Sequence, residues 1–174
     1  TALARLAQVT KGGAGSAVAL ASGRASLESL GWLSRLLGRY ALTAAVQVPL
    51  GEEAPLAGVP GLALRAERAP NLEGARQLAF DATWASAVAA AGKAALVVLL
   101  DVSLTEAEAA ALAGAGNVVV LGTVESAAWE RASLVLPITT MAEEHGTWMN
   151  CEGRVQRYHQ ARSAPGMARP AWWV

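Results

Sequence analysis

The stretch ALVVLLD at 95–101 restricts this chain more than any other. It is apolar without a break, rich in branched side chains, and closed by a polar residue. A strand wetted on one face alternates apolar and polar residues; an unbroken apolar run predicts a strand covered on both faces. Such strands belong to parallel sheets, whose crossovers lay helices above and below. Four further runs have similar length and character: SAVALAS (16–22), LTAAVQV (42–48), NVVVLG (117–122) and SLVLP (133–137).

Between the runs lie segments rich in alanine and leucine. Ser26 is placed to cap a helix reaching about Tyr40, with Leu27, Leu30, Leu33, Leu36 and Leu37 recurring on one face. A short helix is expected from Asn71, and another over about 82–91 that ends at Gly92. Thr105 and Glu108 have the spacing of a capping box, and Gly114 or Gly116 closes the helix they open. Thr123 or Ser126 caps a last short helix to Arg131. Residues 49–70 hold most of the prolines and read as a long irregular connection. The expected fold class is α/β: a Rossmann-like, doubly wound, mainly parallel sheet of about five strands with helices on both faces. Residues 141–174 add a C-terminal hairpin and tail to the α/β domain of 1–140.

Fourteen basic residues balance fourteen acidic ones. Neither nucleic acid nor direct membrane insertion is therefore expected: net positive charge is lacking, and no apolar run approaches the roughly 20 residues of a span. The single cysteine, Cys151, excludes an internal disulfide. It also excludes an iron–sulfur cluster held by this stretch alone, since a cluster takes about four ligands. Cys151, His145 and His159 match no compact zinc spacing, so no metal site is expected, and Cys151 reads as a buried or half-buried thiol. The sequence begins on Thr1 and ends in PAWWV. It reads as a domain excised from a longer polypeptide.

Ligands of doubly wound sheets sit beyond the carboxyl ends of the strands. Three turns are expected at that edge: SGRAS (22–26), LDVSLTE (100–106) and LGTVES (121–126). Gly23, Arg24 and Ser26 suit an anion there, and equally suit a tight turn into a capped helix. The glycine run KGGAGS (11–16) precedes its strand rather than following it, so it reads as a loop. No catalytic residue is expected, because both histidines lie on one late segment and no serine nucleophile has a base. Glu143 and Glu144, adjacent and pointing apart, read as surface glutamates. Asn150, Cys151, Glu152 and Gly153 form a turn joining two hairpin strands. The late arginines Arg154, Arg157, Arg162 and Arg169 suit a pyrophosphate or an acidic subunit surface, or are simply solvated.

Taken in order, SLVLPITTMAEEHGTWMNCEGRVQ (133–156) resembles a segment of the molybdopterin-oxidoreductase superfamily. There a strand ending Val-Leu-Pro leads into Glu-x-x-Gly-Thr-x-x-Asn-x-Glu-Gly-Arg-x-Gln. The matching residues are Val135, Leu136, Pro137, Glu143, Gly146, Thr147, Asn150, Glu152, Gly153, Arg154 and Gln156. The Asn-to-Gln portion is most similar to the G subunits of bacterial NADH–quinone oxidoreductase (respiratory complex I). APGMARPAW (164–172) and, more weakly, Asn71, Gly74 and Ala75 extend the likeness downstream and upstream.

The resemblance implies a domain that, in catalytic relatives, helps hold a molybdopterin guanine dinucleotide. Gly23, Arg24, Ser26, Asn150, Glu152, Gly153, Arg154 and Gln156 are the cofactor-side positions it marks, here expected as vestiges. Two departures favour a scaffold that has lost the molybdopterin: Ala79 stands where a glycine is usual, and Asp101-Val102-Ser103 replaces a Gly-x-Asn/Asp-Pro element. In the G subunits, iron–sulfur clusters lie in another part of the polypeptide. The expected partners are then the other peripheral-arm subunits of complex I, at the cytoplasmic face of the plasma membrane. The alternatives are a cofactor-binding domain of a formate dehydrogenase- or nitrate reductase-like enzyme, and a free-standing nucleotide-binding module.

Overall fold

The computed structural model describes residues 2–11, 15–59 and 61–174. Its centre is a five-stranded parallel sheet built from β1 (Ser16–Ser22), β2 (Ala41–Gln47), β5 (Leu96–Leu100), β6 (Val118–Gly122) and β7 (Leu134–Pro137). The strand order is β2-β1-β5-β6-β7. The chain therefore steps outward from β1 to β2, then returns past β1 and builds in the other direction. That reversal creates a switch point between β1 and β5, where neighbouring strand-to-helix turns diverge and leave a crevice.

Right-handed crossovers put helices on opposite faces as the direction of building reverses. Helices α1 (Ala2–Thr10) and α2 (Leu27–Leu37) cover one face, where Leu6, Leu30, Leu33 and Leu37 meet Ala19, Val98 and Leu121. Helices α4 (Trp84–Ala91) and α5 (Glu106–Ala111) cover the other, where Ala87, Ala91, Ala109 and Leu112 meet Leu20, Val97, Leu99 and Val120. Alternate residues of β5 thus enter different cores, and all five are buried. This is the physical reason ALVVLLD carries no polar residue before Asp101. The second core is built largely from alanine and valine, so α4 and α5 lie close. A Cβ on Gly92 would strike the Ala111 carbonyl oxygen, and one on Gly114 would strike that of Gly92.

Two helices begin on the caps the sequence marks, Ser26 and Thr105, and a third begins on Thr83. Ser26 accepts from the Ser29 amide and Thr83 from the Ser86 amide, each at 3.2 Å. Thr105 accepts from the Glu108 amide at 3.3 Å while Glu108 accepts from the Thr105 amide at 2.8 Å. Other boundaries shift. Helix α2 stops at Leu37, because Gly38 turns its amide back to the Arg35 carbonyl and Tyr40 bonds to Leu37. Helix α5 tightens into a 3₁₀ turn at Leu112–Gly114. Ala127–Arg131 is 3₁₀ rather than α; Ser126 occupies its N-cap without a side-chain bond. The glycines at 12 and 13 of KGGAGS lie outside the described residues.

The connection at 49–70 is not wholly irregular. Leu50 bridges Glu67, and β3 (Ala54–Pro55) pairs antiparallel with β4 (Ala63–Leu64), so the segment folds back on itself as a ribbon. Prolines mask this in the sequence, since they occupy strand edges and turns that propensity reads as coil. The short helix α3 (Leu72–Gln77) follows. After β7 the chain makes a 3₁₀ turn (Met141–Glu143) and an antiparallel hairpin of β8 (Gly146–Met149) and β9 (Val155–Tyr158). The tail then returns to the sheet, where Ile138 bridges Arg169 and Ala171 enters the first core. No helix among the described residues is long and apolar enough to cross a membrane.

Candidate functional site

The three turns expected at the carboxyl edge do converge. They border two adjoining hollows that share Arg24, Asp101 and Thr123. The first, about 140 Å³, extends toward Ser26, Thr139 and Glu144. The second, about 230 Å³, extends toward Ser22, Gln47 and Ser103, and the Gln47 amide nitrogen closes it by donating to the Ser103 carbonyl at 2.9 Å.

Most polar groups of this edge are engaged within the chain. Gly23 is small because Ala69 packs where its Cβ would stand, and its carbonyl accepts from the Asn71 amide. Ser26 is buried and spent on its cap, donating its hydroxyl to the Ser29 hydroxyl at 3.1 Å. Asp101 ends β5 with φ of +51°, a left-handed conformation that aspartate tolerates better than most residues. Its carboxylate accepts from the Thr123 hydroxyl at 2.6 Å and the Thr123 amide at 3.3 Å, tying β5 to β6.

The C-terminal hairpin docks on the turn after β1. Glu28, in the first turn of α2, accepts from the Thr147 amide at 2.9 Å and hydroxyl at 3.0 Å. The Trp148 indole donates to the Arg24 carbonyl, and the Met149 amide to the Asn71 side-chain oxygen. Asn71, wholly buried, also donates to the Ala25 carbonyl at 2.8 Å. Asn71 therefore bridges the β1–α2 turn, α3 and the hairpin. Gly74 is required beside it, since a Cβ there would meet both Asn71 and Leu27.

Glu143 and Glu144 are not surface glutamates: both are buried, and they reach different partners. Glu143 caps the Thr140 amide at 3.0 Å and pairs with Arg162 at 3.3 Å. Glu144 accepts from the Tyr158 hydroxyl at 2.8 Å and the Thr139 hydroxyl at 2.9 Å. Burial pushes the Glu144 carboxyl above its ordinary range, against those two hydrogen bonds, with repulsion from Glu28 and Asp101 adding to the rise. Burial and the Glu144 carboxylate push the Tyr158 phenol upward as well. Adjacency cannot reveal this pair of roles, because a tight turn sends neighbouring side chains to different partners. Tyr158 and Glu28 carry no local signal; they matter through contacts made 14 and 119 residues away in sequence.

The remaining family-motif positions lie elsewhere. Asn150 accepts from the amides of Glu152 and Arg154 and so shapes the hairpin tip, where Gly153 takes φ of +76°. Glu152 and Arg154 form an exposed pair at 3.9 Å, and Gln156 is exposed. None of these five lines either hollow, whereas Arg24 and Ser26 do. Cys151 is exposed at the tip rather than buried, because the turn faces water. His145 and His159 meet edge to face, 5.6 Å between ring centres. Among the described residues, no three His, Cys, Asp or Glu side chains converge as a metal set. The late arginines do not gather: Arg162 pairs with Glu143, Arg169 lies over the Trp173 ring, and Arg157 is exposed on β9.

A family model described as molybdopterin oxidoreductase matches residues 7–174. The chain belongs to that family. Among its curated relatives, YrhE of Bacillus subtilis, named provisionally as a formate dehydrogenase, is 49% identical over 43 residues. That segment is 25% of this chain and 4% of YrhE. The F420-dependent formate dehydrogenase 2 subunit alpha of Methanococcus maripaludis is also 49% identical over 43 residues, 25% of this chain and 6% of its own. The G subunit of the NADH-quinone oxidoreductase of Streptomyces coelicolor is 45% identical over 60 residues, 34% of this chain and 7% of its own. The matched segments are thus small parts of far longer proteins.

A molybdopterin guanine dinucleotide carries a pyrophosphate, which calls for converging donors and positive charge. At this edge of the molybdopterin oxidoreductase domain, Arg24 is the one basic residue lining either hollow among the described residues, and it shares the first with Asp101 and Glu144. The lining of the first hollow thus sets one positive charge against two negative ones.

Proposed function

We propose that this is a non-catalytic scaffold domain of a G-subunit-type polypeptide in a bacterial NADH–quinone oxidoreductase. It supports electron transfer from NADH toward quinone through its place in the assembly and holds no molybdopterin. The observation that carries the reading is the acidic, self-bonded carboxyl edge. Asp101 is engaged by Thr123, Glu144 by Tyr158 and Thr139, and Ser26 by Ser29, and the two carboxylates face the single Arg24 where a phosphate would sit. The likeness to the Streptomyces G subunit over 60 residues agrees with it. On this reading the partners are other peripheral-arm subunits, and iron–sulfur clusters belong to other parts of the parent polypeptide.

The two formate dehydrogenase relatives favour a second reading, a cofactor-holding domain of a molybdoenzyme. Purifying the full-length parent from its source separates the two. The scaffold reading expects NADH–quinone activity to co-purify, with neither molybdenum nor acid-releasable guanine nucleotide in proportion to the chain. Stoichiometric molybdenum and nucleotide, with formate-dependent dye reduction, would establish the second reading instead.

A further inference from the structure

The C-terminal hairpin sits on the body of the domain by giving hydrogen bonds to it. Thr147, Trp148, Met149 and Tyr158 donate to Glu28, Arg24, Asn71 and Glu144. In its second strand Val155, Gln156 and Arg157 are exposed, and Tyr158 alone turns inward. The Tyr158 ring lies so close to Gly146 that a Cβ there would strike it, and it packs 4.5 Å from the Trp148 ring. Whatever holds the Tyr158 hydroxyl therefore holds the foot of the hairpin. That group is Glu144, a buried carboxyl whose two oxygens take the hydroxyls of Tyr158 and Thr139 at 2.8 and 2.9 Å.

These two partners of Glu144 are neutral, whereas neighbouring Glu143 is paired with Arg162. A hydroxyl accepts as readily as it donates, so the same setting accommodates a carboxylate or a carboxylic acid. The charges around Glu144 are mainly acidic: Glu28 from α2 and Asp101 from the end of β5 repel it, and Arg24 shares the first hollow with it. The exposed His145 and Arg169 meet His159 and Trp173 instead. Glu144 itself lines the first hollow, which gives a proton a path to it. We propose that the proton on Glu144 is a latch: the hairpin is seated firmly while this carboxyl is neutral and loosens from the body when it ionises. This holds on either reading of the parent polypeptide, because every contact involved lies within the chain.

The direction follows from the surroundings. Burial holds the carboxyl above its ordinary 4.5, Glu28 and Asp101 add to the rise, and the two hydroxyls oppose it. Tyr158, pushed upward as well, keeps its proton across the same range. Once the hairpin loosens, water reaches Glu144 and its ordinary affinity for the proton returns. Opening should therefore increase about tenfold per pH unit from 4.5 up to the raised value, then level off.

Hydrogen exchange of the full-length parent polypeptide tests this, read by mass spectrometry and normalised to the intrinsic rate at each pH. Peptides from β8 and β9 should lose protection as pH rises, with the slope of a single proton, while β5 stays protected. Glu144→Gln should abolish that dependence and keep the hairpin as protected as in the unsubstituted chain at acid pH. Asp101→Asn keeps an acceptor for Thr123, removes a repelling charge, and should move the loosening to lower pH. It also keeps the test open if Glu144→Gln does not fold. A flat profile in the unsubstituted chain, or an unaltered one in either variant, would overturn the proposal. So would loosening toward acid, which would assign the hairpin's response to His145 and His159.

Discussion

Ala79 holds φ at +66°, in the left-handed region where a Cβ crowds the following carbonyl. It ends α3, with its amide bonded to the Arg76 carbonyl, and turns the chain so that Phe80 can enter the first core. A glycine at this position would therefore have a local conformational reason, independent of any ligand. Ala79→Gly should stabilise the domain by about 0.5–1 kcal/mol, the strain relieved less the entropy glycine loses. Urea denaturation checks this, and a loss of stability would show that the strain is not real. Glu144 carries the other residue-scale prediction. Burial raises its pKa above the ordinary 4.5, so the folded chain holds that proton more tightly than the unfolded chain. Its contribution to stability therefore falls as pH rises from 4.5 through the raised value. Glu144→Gln keeps an acceptor for Tyr158 and should flatten that part of the stability–pH curve. An unchanged slope would assign the dependence to another group.

At the scale of elements, the joints matter more than the bodies. Asn71→Ala leaves the Ala25 carbonyl and the Met149 amide without their partner in a buried place, and should cost about 2–4 kcal/mol. Because Asn71 ties the hairpin to two other elements, the loss should appear as proteolytic cutting near 150 before global unfolding. Thr105→Ala, which removes one half of a capping box, should cost only about 1 kcal/mol in thermal melts. These two cases show what can be read from the chain. The capping box is a local pattern of four residues, and the five strands are local patterns of apolar runs, so both are legible. Asn71 is different: its role depends on Ala25 and Met149, 46 and 78 residues away, and the sequence marks it only as a helix start and one residue of a family motif. The ribbon at 49–68 is hidden because its pairing uses prolines and glycines that lack strand propensity. Glu143 and Glu144 look solvated because charge alone does not disclose a buried partner.

For the molecule as a whole, one sheet serves two cores, and the edge that serves a ligand in related folds here fastens a hairpin. Tyr158→Phe removes the hydroxyl that Glu144 accepts from and should cost about 1.5–3 kcal/mol, the range for a hydrogen bond to a charged group. Hydrogen exchange should report the loss mainly in β8 and β9, and a loss spread evenly over the sheet would argue against a separable hairpin. The sheet's own integrity depends on the crossing of Gly92 and Gly114, where α4 and the turn after α5 touch backbone to backbone. That contact works as a spacer of zero thickness: any side chain at either position pries the two helices apart and opens the alanine-lined second core. In a saturation scan both glycines would register as intolerant and mutually dependent, while the exposed hairpin tip accepted most changes. Mutational sensitivity in this domain would then trace the distance between two layers, and a map of it would point away from the edge where ligands are sought.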